Sequence, residues 1–328
     1  MTKRTKTSRR EFIKLSSLAG AAMVLPIDGF SNSLGRENIE IGIIADVHQD
    51  VIHDGVERLR VFLDEAKKRH PDFIIQMGDF ALPNKENQPF LDTWNAYKGD
   101  KYHVLGNHDM RDHGFTREQT MTWWDMNERY YSFDKKGVHF IVLDGNDPNP
   151  KPWSGYDRYI GEEQKNWLIQ DLQNTNKPTI VFSHQTLQLE YDGVANMKEI
   201  RGILEDANKK AGFKKVMCCL SGHTHTDYMT HINGIYYLQI NSASYRWVGG
   251  DYKTIRYSEA IDKTHKWIKY TIPYKESLFT FMNIKNNKII VEPRKTVFVG
   301  PGPDELGMPE QRLDDPIVPS ISGFKMKI

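Results

Sequence analysis

Cysteine is nearly absent from the 328 residues: there are two, and they are neighbours, Cys218 and Cys219. A bond between adjacent cysteines departs from ordinary disulfide geometry, and strand alternation sends the two side chains to opposite faces. No disulfide framework is expected, nor a thiolate set for a closed structural zinc site; both cysteines read as small core residues. Also missing is any apolar run of the roughly 20 residues that a membrane-spanning helix needs, so no stable membrane anchor is expected. An excess of one charge is missing too. With 44 Lys and Arg against 43 Asp and Glu, the formal net charge is +1, which offers a nucleic-acid partner nothing to hold. There is no internal repeat and no linker that would split the folded part.

The balance of charge conceals a basic beginning. Residues 1–30 hold six Lys or Arg and two acids. Ser8-Arg9-Arg10-Glu11-Phe12-Ile13-Lys14 resembles a twin-arginine export signal, and residues 15–27 supply a short apolar stretch rich in Ala, Gly and Ser. The stretch is too short to span a bilayer and suits a signal peptide. No cysteine follows it, which argues against a lipoprotein anchor. The expected organisation is a twin-arginine signal peptide and short linker over 1–34, cleaved between residues 28 and 35, one catalytic domain over 35–300, and an extended tail over 301–328. The twin-arginine export machinery becomes an expected partner, and the mature protein is expected to be periplasmic or secreted.

The chemistry-bearing residues fall at the carboxyl ends of apolar runs. Residues 39–45 read as a buried strand that ends in Asp46-Val47-His48, and residues 72–77 end in Gly78-Asp79. Residues 101–105 end in Gly106-Asn107-His108-Asp109, residues 179–183 in His184, and residues 213–220 in Ser221-Gly222-His223-Thr224-His225. Helical patterns separate these runs, over 54–70, 90–97, 116–129, 162–173 and 196–210. Alternating strands and helices with polar residues at one strand edge describe an α/β sheet with its site at that edge. Imidazole is the commonest metal ligand among side chains. Asp46, His48, Asp79, Asn107, His184, His223 and His225 make a set of nitrogen and oxygen donors too large for one four-coordinate ion and suited to two ions sharing a carboxylate. Two divalent ions outweigh the two ligand carboxylates, so the site attracts a phosphate and makes a bound water acidic enough to attack phosphorus in line.

The order D-x-H, G-D, G-N-H-D, a lone His after a strand and then G-H-x-H resembles the calcineurin-like metallophosphoesterases, over residues 39–245. The resemblance implies a four-layer α-β-β-α sandwich with two central mixed sheets and a metal site at the carboxyl ends of the strands. It implies that Asp46, His48 and His225 hold one ion, that Asn107, His184 and His223 hold the other, and that Asp79 bridges them. His108 would stand beside the substrate phosphate, with Asp109 supporting its imidazole. Purple acid phosphatases carry a tyrosine ligand three residues after the bridging Asp, where this chain has Leu82; Mn, Zn or ferrous iron is therefore expected over a ferric site. Arg246 is the expected extra phosphate contact, with His53 and His113 as further substrate contacts. The loop at 144–160, rich in Pro, Gly and Asn, is expected to form a flap facing substrate. The expected function is an exported dimetal phosphomonoesterase acting on small organic phosphate esters. A phosphodiesterase or nucleotide pyrophosphatase on the same metals is the alternative, and a non-catalytic binding module the contrasting class.

Overall fold

Alternation along the first strand, β1 (Ile39–Ile44), splits its side chains between two cores. Ile41 and Ile43 join one cluster with Phe140, Phe182 and Leu220, whereas Ile44 joins another with Leu59, Phe62 and Leu63. A strand buried on both faces needs this continuous apolar sequence. The computed structural model describes residues 38–110, 114–151 and 155–328, all within one compact unit, Leu34–Ile328. The expected signal segment with its cleavage site, Trp153 and His113 lie outside the described residues.

After β1 come α1 (Gly55–Arg69), β2 (Phe73–Gln76), α2 (Gln88–Asn95), β3 (Lys101–His103), α3 (Arg117–Trp123), β4 (Tyr131–Lys135) and β5 (Val138–Leu143). Next are α4 (Glu162–Asn174), β6 (Thr179–Ser183), α5 (Met197–Ala211), β7 (Val216–Ser221), β8 (Tyr228–Ile232) and β9 (Ile235–Gln239). The chain finishes with β10 (Tyr245–Trp247), α6 (Glu259–Thr264), β11 (Thr271–Pro273), β12 (Thr280–Lys285), β13 (Lys288–Val291), β14 (Arg294–Lys295), β15 (Ser320–Ile321) and β16 (Phe324–Lys327).

Two six-stranded mixed sheets result, ordered β16-β13-β12-β1-β2-β3 and β4-β5-β6-β7-β9-β8. Strands β1 and β2 run parallel, as do β2 and β3, and in the second sheet β5, β6, β7 and β9. The largest apolar cluster draws on both sheets and fills the space between them. A second cluster joins the outer face of the first sheet to α1 and α2, and a third joins the outer face of the second sheet to α4 and α5. The layering is therefore the expected α-β-β-α sandwich, with both central sheets mixed.

Three local expectations change. Helix α3 stops at Trp123 instead of continuing to residue 129, and Trp124 is buried in the second cluster. From sequence, Asp262-Lys263 between two apolar stretches reads as the turn of a hairpin, but both residues lie inside α6, which Ser258 caps by accepting a hydrogen bond from the Ile261 N–H. The end of the tail does more than extend over the surface. Strand β16 pairs with β13 at the edge of the first sheet, with Met326 and Ile321 fully buried. Asn241 donates to the carbonyls of Val318 and Ser320, and Thr226 to that of Pro316, so the tail is tied down where it passes the strand ends.

Candidate metal centre

Each candidate ligand sits where a strand breaks off sharply. Asp46, His48, Asp79, His223 and His225 all have φ between +50° and +70°. For residues other than glycine that left-handed conformation costs about 1–2 kcal/mol each, and such strain persists where the surroundings enforce it, typically at functional sites. Backbone bonds between the loops do part of the enforcing: Asp46 N–H donates to Gly78 O at 3.1 Å and His48 N–H to Asp79 O at 2.9 Å. The glycines beside the ligands permit close approach. A Cβ on Gly106 would lie 2.2 Å from the Asp79 nitrogen, and one on Gly222 would lie 2.4 Å from Asp46 Oδ2.

Two groups of donors form. In the first, His48 Nε2 and His225 Nε2 are 3.0 Å apart, and His225 Nε2 is 3.4 Å from Asp46 Oδ1. In the second, His184 Nε2 lies 3.2 Å from His223 Nδ1, 3.2 Å from Asn107 Oδ1 and 3.2 Å from Asp79 Oδ2. Asp79 Oδ2 is also 3.5 Å from His48 Nε2, so one carboxylate oxygen faces both groups. The far nitrogens of the rings are already engaged. His184 Nδ1–H donates to Met77 O and His225 Nδ1–H to Tyr245 O, both at 2.8 Å, which leaves each Nε2 with its lone pair turned inward. Imidazole lone pairs converging at such distances repel one another unless a proton or a cation lies between them. A buried set of imidazoles, carboxylates and one amide oxygen, without thiolate, therefore fits borderline divalent ions.

The electrostatics agree. Burial holds the pKa of His48 well below its ordinary value despite Asp79, and burial also lowers that of His223; neutral imidazole is the metal-binding form. At His184 burial opposes the charge, but the Asp79 carboxylate outweighs it and lifts the pKa to about 10, so without a cation Nε2 holds a proton that a bound ion would displace. Burial works against the Asp79 anion, yet His184 and His108 hold its pKa well below the usual range.

All seven expected ligands thus come together, and His108 stands beside them. Its ring centroid is 5.4 Å from that of His48, and its backbone N–H donates to Asp79 Oδ1 at 2.8 Å. Asp109 does something other than expected. Its oxygens accept the backbone N–H groups of Asp79, Gly106 and Phe80 at 2.7–2.9 Å, so its support goes to the turn carrying Asp79 instead of the His108 ring. Burial and the Asp79 charge push the Asp109 pKa up, against the Gly106 and Phe80 donors and the nearby His184. Arg246, expected on phosphate, is committed elsewhere: it pairs with Asp315 of the tail at 2.8 Å and donates to the carbonyls of Thr224 and His225, bracing the ligand loop from behind. His53 packs edge-on against Tyr257 at 4.5 Å and is not among the grouped ligands.

Three residues beside the centre were not foreseen in these roles. Tyr156, from the long loop, places its hydroxyl 2.7 Å from His223 Nε2 and 2.9 Å from Asp192 Oδ1. Asp192 also pairs with Arg158 at 3.3 Å, and its pKa is depressed to about 2: burial opposes the anion, but His223 and Tyr156 hold it. Tyr245, the neighbour of Arg246, packs its ring against both His48 and His225. Length and composition marked the loop that carries Tyr156; nothing local marked Asp192.

The calcineurin-like phosphoesterase family model matches residues 39–227, more than half of the chain. The chain belongs to that family, and with it to the metallophosphoesterases, phosphoric ester hydrolases. Among solved structures it is similar to a dimetal phosphatase from Danio rerio, with 14% identity, 80% of this chain and 98% of that chain covered, and a TM-score of 0.57. It is also similar to GAP50, the anchor in the inner membrane complex of Plasmodium, with 16% identity, 89% of each chain covered and a TM-score of 0.51. At these identities the likeness concerns the fold. No curated protein matches the chain by sequence.

Proposed function

We propose that this metallophosphoesterase is an exported phosphomonoesterase that uses two divalent ions to release phosphate from small organic esters. The observation that carries the hydrolase reading is the complete convergence of Asp46, His48, Asp79, Asn107, His184, His223 and His225, with His108 beside them. One similar structure is described as an anchor, so the fold alone does not separate a catalyst from a binding module; the intact ligand set favours the catalyst. Asp46, His48 and His225 would hold one ion, Asn107, His184 and His223 the other, with Asp79 shared. Bound there, divalent ions supply Lewis-acid polarisation of the phosphoryl group and activation of water.

The chain's own groups do the rest. Met77 and Tyr245 carbonyls fix the tautomers of His184 and His225. Asp109 holds the Asp79 turn through three backbone N–H groups. His108, tethered through its N–H to Asp79, protonates the departing alkoxide. What supports a small substrate is the wall of Tyr156, Arg158 and Asp192 along the second ligand group.

A panel of phosphomonoesters, cyclic nucleotides, diesters and nucleotide-diphosphate conjugates, assayed on metal-reconstituted protein, tests the substrate class. Monoesters should give the largest kcat/KM. Faster turnover of diesters or pyrophosphates would favour the phosphodiesterase or pyrophosphatase reading.

Export rests on Arg9-Arg10 and the apolar stretch that follows. Changing both arginines to lysine should retain the protein in the cytoplasm with its activity intact in lysate; unchanged export would remove the twin-arginine assignment.

A further inference from the structure

Resting on the phosphoesterase reading, we infer that the hydroxyl of Tyr245 donates a hydrogen bond to the phosphoryl group of the substrate, the role for which the sequence offered Arg246. Strand alternation separates the two neighbours. Arg246 turns to Asp315 and the carbonyls behind the ligand loop, and Tyr245 turns to the metal centre. Its side chain belongs to a residue only 2% exposed, with ring centroids 5.1 Å from His48 and 5.0 Å from His225. Its own carbonyl accepts from His225 Nδ1, so the backbone of β10 is pinned to a ligand and the ring has little room to swing away.

The hydroxyl itself makes no hydrogen bond to a described residue and is not sealed from solvent, so it stays open to an acceptor that enters the site. His48 has both His108 and Tyr245 as ring neighbours, at 5.4 and 5.1 Å. Two side-chain donors thus border the first ligand group. A phenol held there without a protein acceptor is placed for an acceptor that arrives with substrate, and the oxygens of a phosphoryl group are the acceptors a dimetal site draws in.

The test compares wild-type protein and Tyr245→Phe, each full length and loaded with Mn. Metal content, thermal midpoint, calorimetric affinity for inorganic phosphate, and kcat/KM on an aryl phosphate are measured. The variant should keep two ions and an equal or higher midpoint, because the lost hydroxyl had no protein partner. Its phosphate affinity should fall about tenfold and kcat/KM by about 10²-fold, as for loss of one oxyanion donor. Unchanged phosphate affinity would overturn the inference. So would loss of an ion, which would make Tyr245 a ligand instead. If the wild type cleaves no phosphate ester at all, the phosphoesterase reading fails by itself, and the difference in phosphate binding still decides the role of Tyr245.

Discussion

The hydroxyl of Tyr156 lies 2.7 Å from Nε2 of His223, which bonds the long 144–160 loop directly to a candidate ligand of the metal centre. The same oxygen is 2.9 Å from Asp192 Oδ1. With the Asp192 carboxylate accepting the phenolic proton, the phenol oxygen accepts from His223 Nε2–H, and His223 Nδ1 keeps its lone pair for an ion. Outer hydrogen bonds of this kind are worth 10–100-fold in metal affinity. Tyr156→Phe should therefore weaken one of two calorimetric Mn-binding steps by about that factor and leave the other unchanged. Two unaltered steps would show that the loop merely rests against His223.

Proton donation by His108 should depend on the leaving group. General-acid help is worth about 10²–10⁴ in rate, and an alkoxide needs it where an aryl oxide leaves largely unaided. His108→Asn at saturating metal should lose most activity on an alkyl phosphate and clearly less on an activated aryl phosphate. His48→Asn, which removes a ligand, should lower both together. Equal losses in His108→Asn would leave His108 as a binding group and not the acid. The separation needs kcat at metal saturation, since a half-filled site imitates a chemical defect.

A histidine far from the centre carries a pH dependence of folding. His139 bridges two carboxylates, Nδ1 to Asp134 and Nε2 to Asp171, each at 2.8 Å, and Lys177 and Ser132 hold those carboxylates in turn. Burial opposes its charge, but the bonds to Asp171 and Asp134 raise its pKa above the ordinary value. A raised folded-state pKa contributes stability that is complete below the unfolded value of about 6.5 and is lost as pH rises through the folded value. With chelator present throughout, the wild type should exceed His139→Gln in urea stability by more at pH 5.5 than at pH 9. A gap that is constant with pH would mean that the contacts act without the charge.

The positions that converge as candidate ligands were legible because each is set by local chemistry: an apolar run, then a glycine or a D-x-H or H-x-H step at the strand end. Buried parallel strands display themselves as unbroken apolar sequence, which is why β1, β2, β6 and β7 were readable together with the edge they share. Residues whose roles depend on distant partners were not readable. Asp192 meets Tyr156 across 36 positions, and Arg246 meets Asp315 across 69. Asp109 misled because its motif implies a partner ring, whereas the sharp Asp79 turn 30 residues earlier needed an acceptor for its N–H groups. Strand β16 is four residues long and finds its place only by pairing with β13, a contact that a Pro- and Gly-rich approach conceals. Helix α6 was the exception, since Ser258 before an acidic first turn was a usable start signal.

The central claim is that two ions sharing Asp79 carry out the hydrolysis. Chelated protein should be titrated with Mn while bound metal and phosphate-ester hydrolysis are measured on the same samples, for the wild type and Asp79→Ala. The account predicts that wild-type activity stays low through the first equivalent, rises with the second and levels at two ions per chain. It also predicts that Asp79→Ala weakens both binding steps, because one carboxylate oxygen faces both ligand groups. Full activity with one ion per chain, or an Asp79→Ala protein that binds two ions with wild-type affinity, would contradict it.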